Sequence, residues 1–268
     1  MERIAFIVLT WNSSEFISRC VASILQIESF DVELLIVDNG STDETKDIVR
    51  AFSDSRVVLL PQNRNLGTTQ SRNIALAQIG DAEYVCVLDS DTEVNEGAIR
   101  TMVKCLQEDS SIGVVGPTMV NSLGTVQLSG RNLPTLSIKL AKAFPVAAVQ
   151  KKGYNREVPA TLIEGGLQEV PYLLSACWVL PRKTIESVGM FDEKIFYAPE
   201  DVDYCVRIWK AGYRCVLCHN ARIVHEYQRI SKKKIVSKMN WEHVKGLAYY
   251  FRKYGYLFDS SKAVRMKK

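Results

Sequence analysis

The chain has 268 residues, with 34 Lys and Arg against 30 Asp and Glu and a formal net charge of +4. An apolar fraction of 47% and a charged fraction of 24% exclude a disordered, collagenous or fibrous chain and are sufficient for a packed core. The charge is uneven: residues 1–228 carry 22 basic and 28 acidic side chains, and residues 229–268 carry 12 and 2. A nucleic-acid-coating protein would be basic throughout, so the pattern argues instead for an acidic body with a surface-docking tail.

The start, Met1-Glu2-Arg3-Ile4, runs directly into an apolar strand pattern and lacks the charged–apolar–small order of a signal peptide. The longest mostly apolar stretch, Val170–Pro181, is about 12 residues, short of the roughly 20 that span a bilayer. Seven cysteines are scattered, several inside apolar runs, and read as reduced core thiols of a cytoplasmic protein. Cys215-Val216-Leu217-Cys218-His219 has haem-attachment spacing, but the alternation of Tyr213, Cys215 and Leu217 suits a buried strand, which is the expectation adopted.

In chain order, Ile4–Leu9 is a continuous apolar run, the mark of a strand buried on both faces. Ser13 or Ser14 is expected to cap a helix over Glu15–Gln26. Leu34–Val37 is a second strand, turned by Asn39-Gly40, and Ser41 or Thr42 is expected to cap a helix through about Phe52. Val57–Leu60 is a third strand, Thr68–Gln78 a helix, and Tyr84–Leu88 a fourth strand ending at Asp89-Ser90-Asp91. Apolar strands alternating with helices predict a mostly parallel α/β sheet with helices on both faces. The polar clusters Thr10-Trp11-Asn12, Asp38-Asn39-Gly40-Ser41 and Asp89-Ser90-Asp91 all fall at strand carboxyl ends, where such sheets bind ligands.

No G-x-G-x-x-G follows the first strand and no P-loop occurs, which disfavours a dinucleotide oxidoreductase or a P-loop NTPase. Asp89 and Asp91 read either as a capped turn before a helix near Asn95–Gln107, or as carboxylates for a hard divalent cation that bridges diphosphate oxygens. Beyond residue 112 the rhythm loosens. Ile112–Gly116 and Gly124–Ser129 read as strand pieces, and Leu136–Ala148 and Lys151–Glu169 as a mobile loop. Val170–Leu180 is one apolar run, and Lys183–Val188 a short helix. Glu200, Asp201 and Asp203 open a further helix over Tyr204–Ala211. A helix N-terminus favours acids, but three in four residues exceed what a cap requires, and crowded carboxylates raise one another's pKa toward that of a general base.

These residues resemble the inverting, nucleotide-sugar-dependent glycosyltransferases of family 2, GT-A fold, and most closely the rhamnosyltransferase-type branch. The resemblance covers about residues 3–228. It rests on Val8-Leu9-Thr10-Trp11-Asn12, Val37-Asp38-Asn39-Gly40-Ser41-Thr42-Asp43, Asn65-Leu66-Gly67 with Arg72-Asn73, and Leu88-Asp89-Ser90-Asp91. Its later part is Gly189-Met190-Phe191-Asp192-Glu193, Glu200-Asp201-Val202-Asp203 and Gly212-Tyr213. Trp11 departs from the more usual Tyr. The resemblance implies a GT-A domain over 1–228, with about 1–100 the nucleotide-binding half and about 101–228 the acceptor half.

By the same resemblance, Thr10 and Asn12 would line the nucleotide pocket and Asp38 would accept the N3–H of uracil or thymine. Asn65 and Arg72 would flank the base and diphosphate. Asp89 would face the ribose or sugar and share a Mg²⁺ or Mn²⁺ with Asp91. His225 would correspond to a late metal- or phosphate-contacting histidine, although a lone His near a strand end also reads as a packed ring. Asp201 would be the general base, with Glu200 the runner-up. The donor would be a UDP- or dTDP-sugar and the acceptor a glycan or lipid-linked saccharide, in surface polysaccharide or glycolipid assembly. A non-catalytic sugar-nucleotide-binding module is disfavoured by the full set of carboxylates. A nucleotidyltransferase is disfavoured because Thr10–Ser14 holds no Gly and no cation.

The tail 229–268 contains Lys232-Lys233-Lys234 and then Trp241, Val244, Leu247, Ala248 and Phe251 at helical spacing. It reads as a basic amphipathic helix, either packed on the body or lying on an anionic membrane surface. The chain is thus expected to be cytoplasmic, peripheral at the inner face of the membrane, with no nucleic-acid partner.

Overall fold

The computed structural model describes residues 1–159, 165–226 and 238–255, with positions 258, 260 and 264. In chain order the elements are β1 (Arg3–Thr10), α1 (Ile17–Leu25), β2 (Asp31–Asp38), α2 (Thr45–Arg50), β3 (Val57–Pro61), α3 (Thr68–Leu76), β4 (Tyr84–Asp89), β5 (Thr92–Glu93) and α4 (Glu96–Glu108). There follow β6 (Ile112–Val120), β7 (Val126–Gln127), β8 (Gly130–Arg131), α5 (Leu136–Ala143), α6 (Ala147–Glu157), β9 (Leu167–Glu169), β10 (Tyr172–Leu173) and β11 (Cys177–Pro181). The last are α7 (Arg182–Val188), α8 (Glu200–Lys210), β12 (Arg214–His225) and α9 (Lys238–Tyr254).

The apolar run of β1 is buried on both sides because the strand is central. The main sheet has the order β3-β2-β1-β4-β11-β6-β12-β5. Strands β3, β2, β1 and β4 run parallel, as do β6 and β12, while β11 is inserted antiparallel between β4 and β6. The predicted mostly parallel sheet with helices on both faces is the one observed, with β11 as an antiparallel insertion. Successive β1 side chains feed opposite cores, as a period of two requires. Phe6 and Val8 pack with Ile17, Val21 and Ile24 of α1 and Ile99 and Met102 of α4. Ala5 and Ile7 pack with Ala75 and Leu76 of α3, Tyr204 and Ile208 of α8, and Tyr250 and Phe251 of α9.

Several local expectations are corrected. Helix α1 begins at Ile17 without a side-chain cap: the Ser13 hydroxyl bonds instead to the Trp11 carbonyl and accepts from Ser90 Oγ at 2.8 Å. Nor do Ser41 and Thr42 cap α2. Asp43 does the local work, accepting the Thr45 N–H and, from the β1–α1 loop, the Ser14 N–H. Demand from the neighbouring loops outcompetes the helix end in both cases. The run Val170–Leu180 is split at Ser175-Ala176, with β10 pairing β8 in a small second sheet. Residues expected to form a mobile loop hold α5, capped by the Thr135 hydroxyl on the Ile138 N–H, and α6. The shortness of α5 and the polar, basic sequence of α6 concealed them, and what fixes the pair includes a charge cluster on Glu157. Residues 160–164 of that stretch lie outside the described residues.

Cys215 and Cys218 are buried in β12, as expected of a strand, and the His219 ring meets the Gln168 side chain. In the tail, Lys232-Lys233-Lys234 lies outside the described residues. Helix α9 packs on the body: Tyr250 and Phe251 are buried, Tyr249 Oη donates to Asp192, and Tyr254 Oη donates to Asp203 at 2.8 Å. Lys253 Nζ reaches both Asp192 and Asp203. Among the described residues no helix is long and apolar enough to cross a membrane.

Candidate active site

Sheet register assembles the cleft. Thr10 lies opposite Asp38 on β2, and Leu9 lies opposite Asp89 on β4. The polar residues that close these strands therefore share one edge. Asp38 is fully buried; its Oδ2 accepts the Ser41 N–H at 3.1 Å. Its Oδ1, and the buried Thr10 Oγ1, have no hydrogen-bond partner among the described residues. Burying an unpaired polar atom costs free energy, and these two lie on neighbouring strand ends.

Asn12 and Asn65 serve the loops around this pocket. Asn12 is exposed, with a positive φ of 50°, a conformation that Asn tolerates better than most residues. Its Oδ1 accepts the Thr42 N–H at 2.8 Å and its own N–H donates to Ser41 Oγ, which ties the loops after β1 and β2 together. Asn65 Oδ1 accepts from Asn39 Nδ2 and from the Gly67 N–H. Asn39, read in the sequence as a turn residue within a polar cluster and not as a site residue, has an Oδ1 that takes both the Leu66 N–H and the Ser71 hydroxyl. Its position between Asp38 and Gly40 was the available signal.

Asp89, Asp91 and His225 converge, with one ligand atom of each within 4.8 Å of the others. Antiparallel pairing of β12 with β5, which sets His225 opposite Thr92, brings the histidine to the turn after β4. The Gln127 amide donates to the His225 carbonyl at 2.7 Å, so its Oε1, 2.8 Å from Nδ1, accepts the ring proton. That tautomer leaves Nε2, 3.5 Å from Asp91 Oδ1, as the nitrogen a cation would meet. Two carboxylates and one imidazole fit a divalent cation: Mn²⁺ accepts a mixed oxygen and nitrogen set, and Mg²⁺ favours the oxygens. Enclosure raises the Asp89 carboxyl above its ordinary range, Arg72 opposing and Asp91 adding to the shift. Burial disfavours charge on His225, but Asp91, Asp89 and Glu226 outweigh it and raise the imidazole.

Arg72 is 1% exposed and links two parts of the cleft. Its Nη2 donates to Asp89 Oδ1 at 2.9 Å and to the Ser175 carbonyl, and its Nη1 donates to Glu200 Oε1 at 3.2 Å. Arg72, expected to flank the base and diphosphate, thus forms a buried bridge between Asp89 and Glu200. Ser175, at the break in the Val170–Leu180 run, adds a hydroxyl bond to Glu200 Oε1 at 2.9 Å.

The three carboxylates of α8 separate by environment. Asp203 is buried and held by Arg207, Lys253 and Tyr254. Glu200 is buried against Arg72 and Ser175, and burial together with the Asp201 charge pushes it up to about 8. Asp201 is partly exposed, with Oδ1 accepting the adjacent Val202 N–H. Enclosure raises it as well, against the Val202 N–H and the charges of Arg131, Arg72 and Lys139. The segment leading to this pair is clamped. The Thr68 N–H donates to the Phe196 carbonyl at 2.6 Å and the Thr69 hydroxyl to the Ile195 carbonyl at 2.7 Å.

Comparison with known proteins gives the family. The model of the family described as "Glycosyl transferase family 2" matches residues 5–159, and that described as "Glycosyltransferase (GlcNAc)" matches residues 170–264. An N-acetylglucosaminyl-diphospho-decaprenol L-rhamnosyltransferase of Mycobacterium tuberculosis is 27% identical over 82% of this chain and 74% of its own length. A GalNAc(5)-diNAcBac-PP-undecaprenol beta-1,3-glucosyltransferase of Campylobacter jejuni is 26% identical over 93% of this chain and 83% of its own. Among solved structures, GalNAc-T7 with UDP, GalNAc and Mn²⁺ superposes with a TM-score of 0.70 at 16% identity, over 93% of this chain and about half (48%) of that one. The last likeness is one of fold.

Proposed function

This chain belongs to glycosyl transferase family 2, and on that premise we propose a metal-dependent, inverting transfer of a sugar from a UDP- or dTDP-sugar to a hydroxyl of a glycan or lipid-linked acceptor, in surface polysaccharide or glycolipid assembly. The observation that carries the reading is the buried Arg72 bridge. It joins Asp89 of the candidate cation cluster to Glu200, the neighbour of a partly exposed Asp201, so donor activation and proton removal face one cleft. The relatives' names, which carry polyprenyl-diphosphate acceptors, support the acceptor class.

Each residue has a role in this reading. The unpartnered Asp38 Oδ1 accepts the imide N–H of the pyrimidine beside Thr10. Asn12 and Asn65 hold the pocket loops in place. Asp89, Asp91 and His225 would hold Mg²⁺ or Mn²⁺, which when bound offsets the charge of the departing nucleoside diphosphate. Asp201 takes the proton of the acceptor hydroxyl. The new bond forms between that oxygen and the anomeric carbon as the bond to the diphosphate oxygen breaks, so the configuration inverts. Glu200 steadies Arg72 and is kept as the alternative base. Residues 1–228 form the catalytic domain, and 229–268, including α9, hold the enzyme beside its acceptor at the cytoplasmic face of the membrane.

Calorimetric titration with UDP, with and without Mn²⁺, tests the cation cluster. Asp91→Ala should lose the Mn²⁺-dependent part of the affinity; equal affinities with and without the ion in the wild type would refute the ligand role. Asp201→Asn should lower transfer about 100- to 10,000-fold, the range of general-base removal, while donor binding stays intact. Full activity in that variant would reassign the base. Release of nucleoside diphosphate rather than pyrophosphate separates this reading from nucleotidyl transfer.

A further inference from the structure

A cationic cluster stands beside Asp201 that the reaction described above does not use. Glu157, at the end of α6, is 4% exposed. It is surrounded by Lys142 Nζ at 2.6 Å, Lys139 Nζ at 3.5 Å and Arg131 Nη1 at 3.5 Å. One carboxylate is thus shared by three cations. Arg131 stands opposite Tyr172 in the β8–β10 pairing, and β10 packs on α8, which Glu200 and Asp201 open; among the described residues, two carboxylates, Glu157 and Asp201, thus face three cations. Burial lowers Lys139 below the ordinary lysine value even though Glu157 and Asp201 oppose the shift. A partly buried excess of positive charge is costly unless an anion offsets it.

The surroundings add an apolar component. Helix α5, which carries Lys139 and Lys142, also presents Leu140 at 60% exposure and, at its C-terminal cap, Phe144 at 51%. On α9, His243 feels the charges of Lys139 and Lys142, and its neighbours Trp241 and Val244 are exposed. Cations on elements that also expose large apolar side chains suit a ligand with a diphosphate head and a hydrocarbon chain.

We propose that Arg131 and Lys139, positioned by Glu157 and Lys142, bind the diphosphate of a lipid-linked acceptor and so deliver its sugar hydroxyl to Asp201. This rests on the transfer reading above and narrows its acceptor to a polyprenyl-type diphosphate. Lys142, the cation nearest Glu157, is the anchor: it keeps Glu157 paired when either of the other two is replaced, so Lys139→Gln and Arg131→Gln should fold.

The test is calorimetric titration with geranyl diphosphate in EDTA, which removes any cation from Asp89, Asp91 and His225. Wild-type protein should bind, and each single variant should bind about tenfold more weakly, the loss expected for one charge-assisted contact. Inorganic pyrophosphate should bind less tightly than geranyl diphosphate, and geraniol should not compete. Equal affinity of wild type and variants, or no binding, overturns the proposal. Pyrophosphate binding as tightly as geranyl diphosphate assigns the cluster to free phosphates and overturns the lipid assignment. Circular dichroism of both variants shows whether they are folded. In parallel, UDP titration with Mn²⁺ separates the two failures. If UDP or, in the same titration, dTDP binds while geranyl diphosphate fails, only the present proposal falls; if neither nucleotide binds, the transfer reading falls.

Discussion

Glu200 and Asp201 are adjacent in the chain but face different surroundings. Glu200 turns inward to Arg72 and Ser175, whereas Asp201 stays partly exposed beside Tyr172, Arg131 and Lys139. Both carboxyls are raised, Glu200 to about 8, so they titrate as a pair. A general base works only deprotonated. The sign follows: activity should fall as pH drops, along an acid limb lying above the ordinary aspartate range. Burial and the Asp201 charge favour the neutral form of Glu200, so Glu200→Gln, which mimics that form, should keep transfer at pH 7 within about tenfold of wild type. The two should diverge above pH 8 as the wild-type Glu200 ionises. A pH–rate profile of kcat/KM checks both; a Glu200→Gln loss as deep as that of Asp201→Asn would make Glu200 the base. At this scale the sequence displayed the acidic residues themselves. It did not reveal that Asp203 is a structural anchor or that Arg72 bridges, because both depend on neighbours that are distant in the chain.

At the scale of elements, two glycines meet the segment that precedes Glu200. A Cβ on Gly67 would sit 2.2 Å from the Phe196 carbonyl oxygen, and a Cβ on Gly246 of α9 would sit 2.0 Å from the Ala198 carbonyl oxygen. Gly67 also has a φ of +87°, a conformation open mainly to glycine. Helix α9 is therefore seated directly behind the acidic pair, and its close approach needs a residue without a side chain. Gly246→Ala should force α9 and the 195–199 segment apart, destabilise the fold by about 1–3 kcal/mol as overpacking does, and lower kcat more than it weakens donor binding. Denaturant unfolding and steady-state kinetics measure the two effects; unchanged kcat would show that α9 does not position the pair. The strands and helices of the first half were legible because each carries its own period. The exact helix starts were not, since loop-to-loop bonds such as Ser14 to Asp43 decide them. Helices α5 and α6 were missed because their apolar periodicity is weak, while a charge cluster on Glu157 helps fix the pair.

For the whole molecule, the split between an acidic body and a basic C-terminal segment takes a physical form. Helix α9 does not stand apart: Lys253 neutralises Asp192 and Asp203 of the body, and Tyr250 is fully buried in the same core as Trp178 and Tyr204. Tyr250→Ala should cost about 3–5 kcal/mol, the range for large aromatic deletions in a core, read by denaturant unfolding. A change under about 1 kcal/mol would show that the helix is not docked in solution. The outward face of α9 exposes Trp241 and Val244, while Tyr250 and Phe251 on its inward face are buried. Co-sedimentation with anionic vesicles that persists after deletion of 229–268 would contradict a docking role for the segment.

The sequence by itself determined the alternation of apolar strands and helices, the polar strand ends and the acids opening α8. These are properties of short stretches, set by periodicity and by what a strand terminus or helix N-terminus requires. Only the tertiary structure decided that Asp38 Oδ1 and Thr10 Oγ1 would have no partner among the described residues, and that His225 would join Asp91 through the β12–β5 ladder. The same holds for the burial of Arg72 between Asp89 and Glu200, and for the gathering of three cations around Glu157 next to Asp201. Each of these depends on which distant strands and helices become neighbours, and on how much water that packing removes from around a charge.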